Sequence, residues 1–311
     1  MKKTILAAVL AALVLTISTS AQPLQAAELS GTLSLSGAWA IYPLAVKWGE
    51  VFQKLHPNVR LDISAGGAGK GMADALSGAV DIGMVSREVD KAEKAKGAYA
   101  IFIAKDGVFP VVSSKNPGVK QILENGISKK SFIAIFVNGR PLNWHQIAGA
   151  PAAPVHAYTR SDACGAASAW AATLGKYKQD DLKGIGVYGD PGLLEAVRRD
   201  PMGLGYNNLS YVFRGDGVAP GVEVVPIDAN RNGKVDPEER IDTRDKAYRE
   251  IASGRYPGAR REFFVTKGKP KGLARDFIEF ALSDKGTKVL EEVGGYVPLS
   301  KDERSAEVGK F

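Results

Sequence analysis

The chain is poor in the residues that carry redox, metal and nucleophilic chemistry. Its 311 residues hold 1 cysteine, Cys164, and 3 histidines, His56, His145 and His156. A lone cysteine cannot close an internal disulfide, so Cys164 acts as a thiol in any compartment. Three histidines and one cysteine offer neither a zinc spacing nor a triad order, and no organic cofactor is expected. One enzyme reading stays open, with Cys164 as nucleophile and His145 or His156 as its base. Long apolar runs are scarce too. Beyond the first residues nothing approaches the roughly 20 apolar residues that cross a bilayer, so the body of the chain is not expected to span a membrane. Basic residues are scattered and the net charge is a mild +7, which argues against a nucleic-acid surface. There is no internal repeat and no low-complexity segment.

What is present begins with a leader. Lys2 and Lys3 precede an apolar run from Ile5 to Ile17, and small and polar residues follow through Ala27. That order is a secretory signal peptide, residues 1–27, with cleavage between Ala21 and Ala27. No cysteine stands there to take a lipid, so a soluble periplasmic or secreted protein is expected. The remainder is long enough for two domains or one large one.

Strand and helix patterns alternate along it. Thr32–Leu35 reads as a strand, and Leu44, Trp48, Val51, Phe52 and Leu55 then follow helical spacing between Pro43 and Pro57. Val59, Leu61 and Ile63 alternate as a strand, and a helix bearing Met72, Ala75 and Leu76 follows a Gly-rich turn. Val108–Ser113 is an apolar strand, and the strand pattern resumes at Phe132–Val137 and Pro154–Thr159. Helices are expected near Ala163–Leu174 and Pro191–Arg199, and a strand at Gly221–Ile227. Phe263–Val265 and a helix with Phe277, Phe280 and Leu282 close the chain. The order is that of an α/β protein with parallel strands.

Three turns, Ser36–Tyr42, Ser64–Gly71 and Arg160–Ala166, each lead from a strand end into a helix start. Such turns gather at the carboxyl edge of a parallel sheet. Helix starts offer unpaired N–H groups and a partial positive charge, which suits an anion. Small residues dominate two of the turns and let a ligand approach the backbone. Arg87 and Arg160 add planar forks of donors. Gly69-Lys70 is not the end of a P-loop, because Ser64 stands where glycine is required and Gly71 where Ser or Thr is required.

With these turns the chain resembles the phosphate-binding proteins of ABC uptake systems, a branch of the type II periplasmic solute-binding fold. The markers are Ser36-Gly37-Ala38-Trp39 to Pro43, Val80-Asp81-Ile82-Gly83-Met84-Val85-Ser86-Arg87, Ile135-Phe136-Val137-Asn138-Gly139 with Asn143-Trp144, Arg160-Ser161-Asp162-Ala163-Cys164-Gly165, and Gly254-Arg255-Tyr256-Pro257. The resemblance implies two lobes, each a mixed, mainly parallel sheet flanked by helices, joined by a hinge. Lobe I would combine 28–112 with 225–311, and lobe II would hold 113–224. It implies a monomer that closes on an oxyanion and hands it to an ABC transporter permease. The implied contacts are Ala38, Trp39, Ala40, Ile41, Tyr42, Ala68, Gly69, Arg87, Arg160, Cys164, Gly165 and Ala166, with Asp162 bracing Arg160. The family's hydroxyls are replaced at Ala38, Trp39, Ala40, at Ala68 or Gly69, and at Cys164 and Ala166. Arg87 stands where some members carry an aspartate that accepts a proton from phosphate. Phosphate is the first choice; sulfate, molybdate, tungstate or a small organic anion remain open, as does a sensor or scaffold role. Trp39 fits either a contact between lobes or a wall of the cleft.

Asp228 to Glu239 follows the pattern of an EF-hand calcium loop. Asp228, Asn230 and Asn232 would supply side-chain oxygens, Lys234 its carbonyl, Asp236 a direct or water-bridged oxygen and Glu239 a bidentate carboxylate, with Gly233 at the turn. The alternative is a solvated Asx-rich turn. A strand precedes the loop where an EF-hand has a helix, and a helix is expected near Arg244–Ile251. A lone loop of this kind suits a structural clip, not catalysis.

Overall fold

The computed structural model describes residues 28–311 except 229–231 and 233; the expected leader lies outside them. In the first half β1 (Gly31–Gly37), α1 (Tyr42–Leu55), β2 (Val59–Ala65), α2 (Ala68–Ser77) and β3 (Ile82–Val85) lead into the long β4 (Ala98–Ser113). Next come β5 (His156–Arg160), α3 (Gly165–Leu174), β6 (Ile185–Val187), α4 (Asp190–Arg199), β7 (Gly203–Asn208) and β8 (Val222–Val224). The chain ends through α5 (Arg244–Ala252), β9 (Ala259–Lys267), α6 (Gly272–Leu282) and α7 (Asp284–Val293), followed by the helix Lys301–Val308.

Local chemistry explains the elements that carry the site. Alternation in β1 turns Leu33 and Leu35 inward, and the 3.6-residue spacing of α1 buries Leu44, Trp48 and Phe52 on one face. Proline sits in the first turn of α1, where its missing N–H costs nothing. Gly71 explains the failed P-loop match. A Cβ there would meet Met84 O at 2.5 Å and Ser36 O at 2.8 Å, so α2 lies directly on the ends of β1 and β3.

Among the described residues a nine-stranded sheet runs in the order β2-β1-β3-β9-β4-β7-β5-β6, with β8 also on β4. β1 is parallel to β2 and β3, and β5 is parallel to β6 and β7. β9 runs antiparallel between β3 and β4. β4 therefore belongs to both halves: its residues 98–107 pair with β9, and 108–112 pair with β7. Two apolar cores flank this strand, one around Leu33, Trp48, Met84, Phe264 and Phe277, the other around Phe109, Phe132, Trp170 and Tyr206. This is the expected two-lobed α/β architecture with mixed sheets.

The cores divide the chain differently from the expected boundaries. The crossing falls within β4 near Gly107, not at 112/113, because the strand is 16 residues long and changes partner there. Val225, Ile241, Ala247, Ile251 and Tyr256 pack in the second core, so the return to the first lobe comes at the start of β9, not at 225. Phe132–Val137 is not a strand. Lys129–Phe136 is a helix, capped by Ser128, whose hydroxyl accepts the Ser131 N–H, and Phe132, Ile135 and Phe136 face the core at helical spacing.

Candidate functional site

The three turns sit at the carboxyl ends of β1, β2 and β5, and the fold brings them together. Gly66 and Gly67 N–H both donate to Gly37 O, at 2.8 and 2.9 Å, tying the first turn to the second. Gly69 N–H donates to Ala163 O at 3.1 Å, tying the second to the third across the lobes. A fourth turn, Tyr188–Asp190 between β6 and α4, joins them. Trp39 packs edge-on against Tyr188, centroids 5.9 Å apart, and Tyr211 donates its hydroxyl to Trp39 O at 3.0 Å. Trp39 is thus an aromatic contact between lobes.

Arg160 is the electrostatic centre. Its side chain is 0% exposed and is gripped by two carboxylates. Asp162 takes the fork, from Nε at 2.8 Å and Nη2 at 2.5 Å, as expected for a brace. Asp190, in the first turn of α4, accepts from Nη1. Its other oxygen accepts from Asn208 Nδ2 at 2.5 Å. Asn208 in turn accepts from Arg260, which is paired with Asp106 at 2.6 Å and Glu262 at 3.1 Å. A buried polar chain therefore runs from Arg160 to the crossing in β4. Burial pushes the Glu262 carboxyl well above its usual range. Asp190, Asn208 and Asp106 have no local signal in the sequence, because Asp190 lies 30 positions from Arg160, and Asn208 and Asp106 lie 52 and 154 positions from Arg260; only the Arg260–Glu262 pair is local.

The free donors can be counted. Ala38 N–H is spent on Met84 O, Ile41 and Tyr42 N–H on Ala38 O, Gly69 N–H on Ala163 O and Cys164 N–H on Gln179 Oε1. The backbone N–H groups of Trp39, Ala40, Ala68, Lys70, Asp162, Ala163, Gly165 and Ala166 have no acceptor among the described residues. Lys70, the lysine of the P-loop-like stretch, is paired with Asp74 within α2.

Arg87 is engaged elsewhere. Its guanidinium grips Glu93 at 2.9 and 2.6 Å and also reaches Glu88 O. It lines a cleft of about 410 Å³ with Ser86, Ser168, Thr173, Arg260 and Arg261. Cys164 caps α3, its buried sulfur accepting the Ala167 N–H at 3.3 Å. Burial pushes this thiol up to about 12, so it stays protonated. His156 is tied to Asp200 at 2.7 Å at the opposite end of β5.

In the calcium-like loop, Asn232 N–H donates to Asp228 Oδ1 at 3.2 Å, Lys234 N–H to Asn232 Oδ1 at 2.9 Å, and Asp236 N–H to Glu239 Oε2 at 3.1 Å. The oxygen donor set suits a hard cation. The described residues alone form no group of three or more metal-holding His, Cys, Asp or Glu, and Asn230 and Gly233 lie outside them. No helix among the described residues is long and apolar enough to cross a membrane.

Residues 23–285 match the model of the PBP superfamily domain. The phosphate-binding protein PstS of Bacillus subtilis is 28% identical over 277 residues, covering 87% of this chain and 82% of that one. A Clostridium perfringens protein crystallised with bound phosphate superposes with a TM-score of 0.72 at 22% identity, over 87% of this chain and 100% of that one. An ABC-type phosphate transport receptor from Vibrio cholerae gives a TM-score of 0.64 at 20% identity, over 86% and 100%. At those identities the two structures speak for the fold.

Proposed function

The chain belongs to the PBP superfamily, and from that premise we propose that it is the extracytoplasmic binding component of an ABC uptake transporter, taking phosphate or a related oxyanion between its lobes. The observation that carries this reading is the convergence of three helix-start turns, each with uncommitted N–H groups, on the buried Arg160. Helix starts and arginine both favour negative charge, and the small residues of the turns admit it to the backbone. The name of the Bacillus subtilis relative supports phosphate as the ligand, and the leader supports export to the periplasm or beyond. A membrane permease is the partner this role requires, and the binding component acts as a monomer. Turnover is not part of the reading, since Cys164 is a buried, protonated cap. A second ligand class, a small organic anion, has one observation in its favour: Trp39 Nε1 is buried with no acceptor among the described residues.

Calorimetry of the mature protein against phosphate, sulfate, molybdate and tungstate tests the main reading. One ligand per monomer is expected with phosphate; silence with all four would sink it. We further propose that the Asp228–Glu239 loop holds calcium as a structural clip, on the strength of its spacing and donor chemistry.

A further inference from the structure

Arg160 is countered twice, and the second carboxylate is surplus to neutralising it. With all three groups ionised, Arg160, Asp162 and Asp190 carry a net negative charge, out of contact with solvent. An oxyanion brought to Arg160 would meet that charge in a low-dielectric setting, where repulsion is many times stronger than in water.

The two aspartates are not equivalent. Asp162 holds the two-pronged fork and also accepts the Gly189 N–H at 3.2 Å. Asp190 touches the guanidinium through Nη1 alone, so its contact is the one a ligand oxygen can replace. The groups that face Asp190 are Arg160 with Asp162 and Cys164 from the β5 side, Arg260 and the buried Glu262 carboxyl from β9, Asp106 from β4, and Asn208 and Tyr211 from the end of β7 and beyond. Arg260 is already committed to Asp106 and Glu262. Burial outweighs the two arginines and pushes the Asp190 carboxyl up to about 6.

We propose that Asp190 is the resident counter-anion of the ligand site: an incoming oxyanion takes Arg160 Nη1 from it, and Asp190 binds one proton as it lets go. The proton comes from solvent, and no covalent bond of the ligand changes. The proposal rests on the oxyanion reading above and adds its regulation by pH. Its sign follows directly. Protonated Asp190 favours the bound state, so affinity falls as pH rises above about 6, by up to about tenfold per pH unit for one proton. At pH 7 roughly a tenth of Asp190 is protonated, so a site that needs the neutral form gives up about tenfold in affinity.

The test titrates inorganic phosphate into the full chain and into Asp190→Asn, by calorimetry at pH 7 in two buffers of different ionisation enthalpy. The difference in proton count between the proteins isolates Asp190, because the ligand's own ionisation is common to both. The wild type is expected to take up close to one proton more, and the variant to bind about tenfold more tightly. Equal proton counts and equal affinities overturn the proposal while leaving the oxyanion reading in place. No binding heat from either protein, both shown folded by circular dichroism, overturns the reading and the proposal together. The new amide faces Asn208 Nδ2 and can cost stability, so a second measurement uses the wild type alone. Its phosphate affinity from pH 6 to 8, corrected for the known ionisation of phosphate, should fall with pH; a flat corrected profile overturns the proposal.

Discussion

Cys164 stands where the family resemblance implies a hydroxyl, and it does a hydroxyl's local work. Its sulfur accepts the Ala167 N–H and closes the first turn of α3. Serine is the better cap, because its oxygen is the stronger acceptor. Cys164→Ser should therefore keep or raise the unfolding free energy, whereas Cys164→Ala should lower it by about 1 kcal/mol, as read from denaturant unfolding. Phosphate binding should survive the serine variant; its loss there would mean that the thiol has a role beyond capping. This residue and its neighbours were legible in the sequence because their chemistry is local. Arg160 and Asp162 are two positions apart on one turn, and the small residues announce close backbone approach. Asp190 was not legible, since only the packing of α4 beside β5 brings it to an arginine 30 positions earlier.

At the level of elements, the sequence placed the helix starts well and the long strand poorly. Prolines and glycines mark the ends of α1 and α2, but nothing in Ala98–Ser113 signals that one strand serves two lobes. The helix Lys129–Phe136 differs from the strand its pattern suggests, because an apolar run of β-branched and aromatic residues looks like a buried strand until its cap at Ser128 is seen. The Asp228–Glu239 loop had the clearest pattern of all, and its place gives the calcium proposal a consequence. Ile227–Asp228 pairs with Ile127–Ser128, and Arg240 donates to Leu123 O at 3.2 Å, so the loop fastens two distant segments of the second lobe. Calcium at ten times its dissociation constant would add about 1.4 kcal/mol. The melting temperature should rise by a few degrees with calcium and return with chelator, and Glu239→Gln should abolish the response. A melting curve indifferent to calcium and chelator would leave the loop as a solvated turn.

At the scale of the whole molecule, the lobes share β4 and meet at the ligand turns, so closure should depend on how closely the turns approach. Gly69 tests this more cleanly than any charged residue. It lies in the first turn of α2 without a left-handed backbone, so alanine there suits the helix and favours it by up to about 1 kcal/mol. The same methyl would lie 2.8 Å from Ala163 Cβ across the lobes. Gly69→Ala should therefore leave the melting temperature unchanged or higher while opposing the closed state. Overpacking of this kind costs about 1–3 kcal/mol, which corresponds to a loss of phosphate affinity of roughly five- to 150-fold. Small-angle scattering should show a larger radius of gyration for the variant, and Ala163→Gly in the same chain should restore both affinity and compactness by removing the opposing methyl. If Gly69→Ala binds phosphate as the wild type does and scatters identically, the Gly69–Ala163 contact is incidental, and closure of the lobes must be secured by other contacts such as Trp39 on Tyr188.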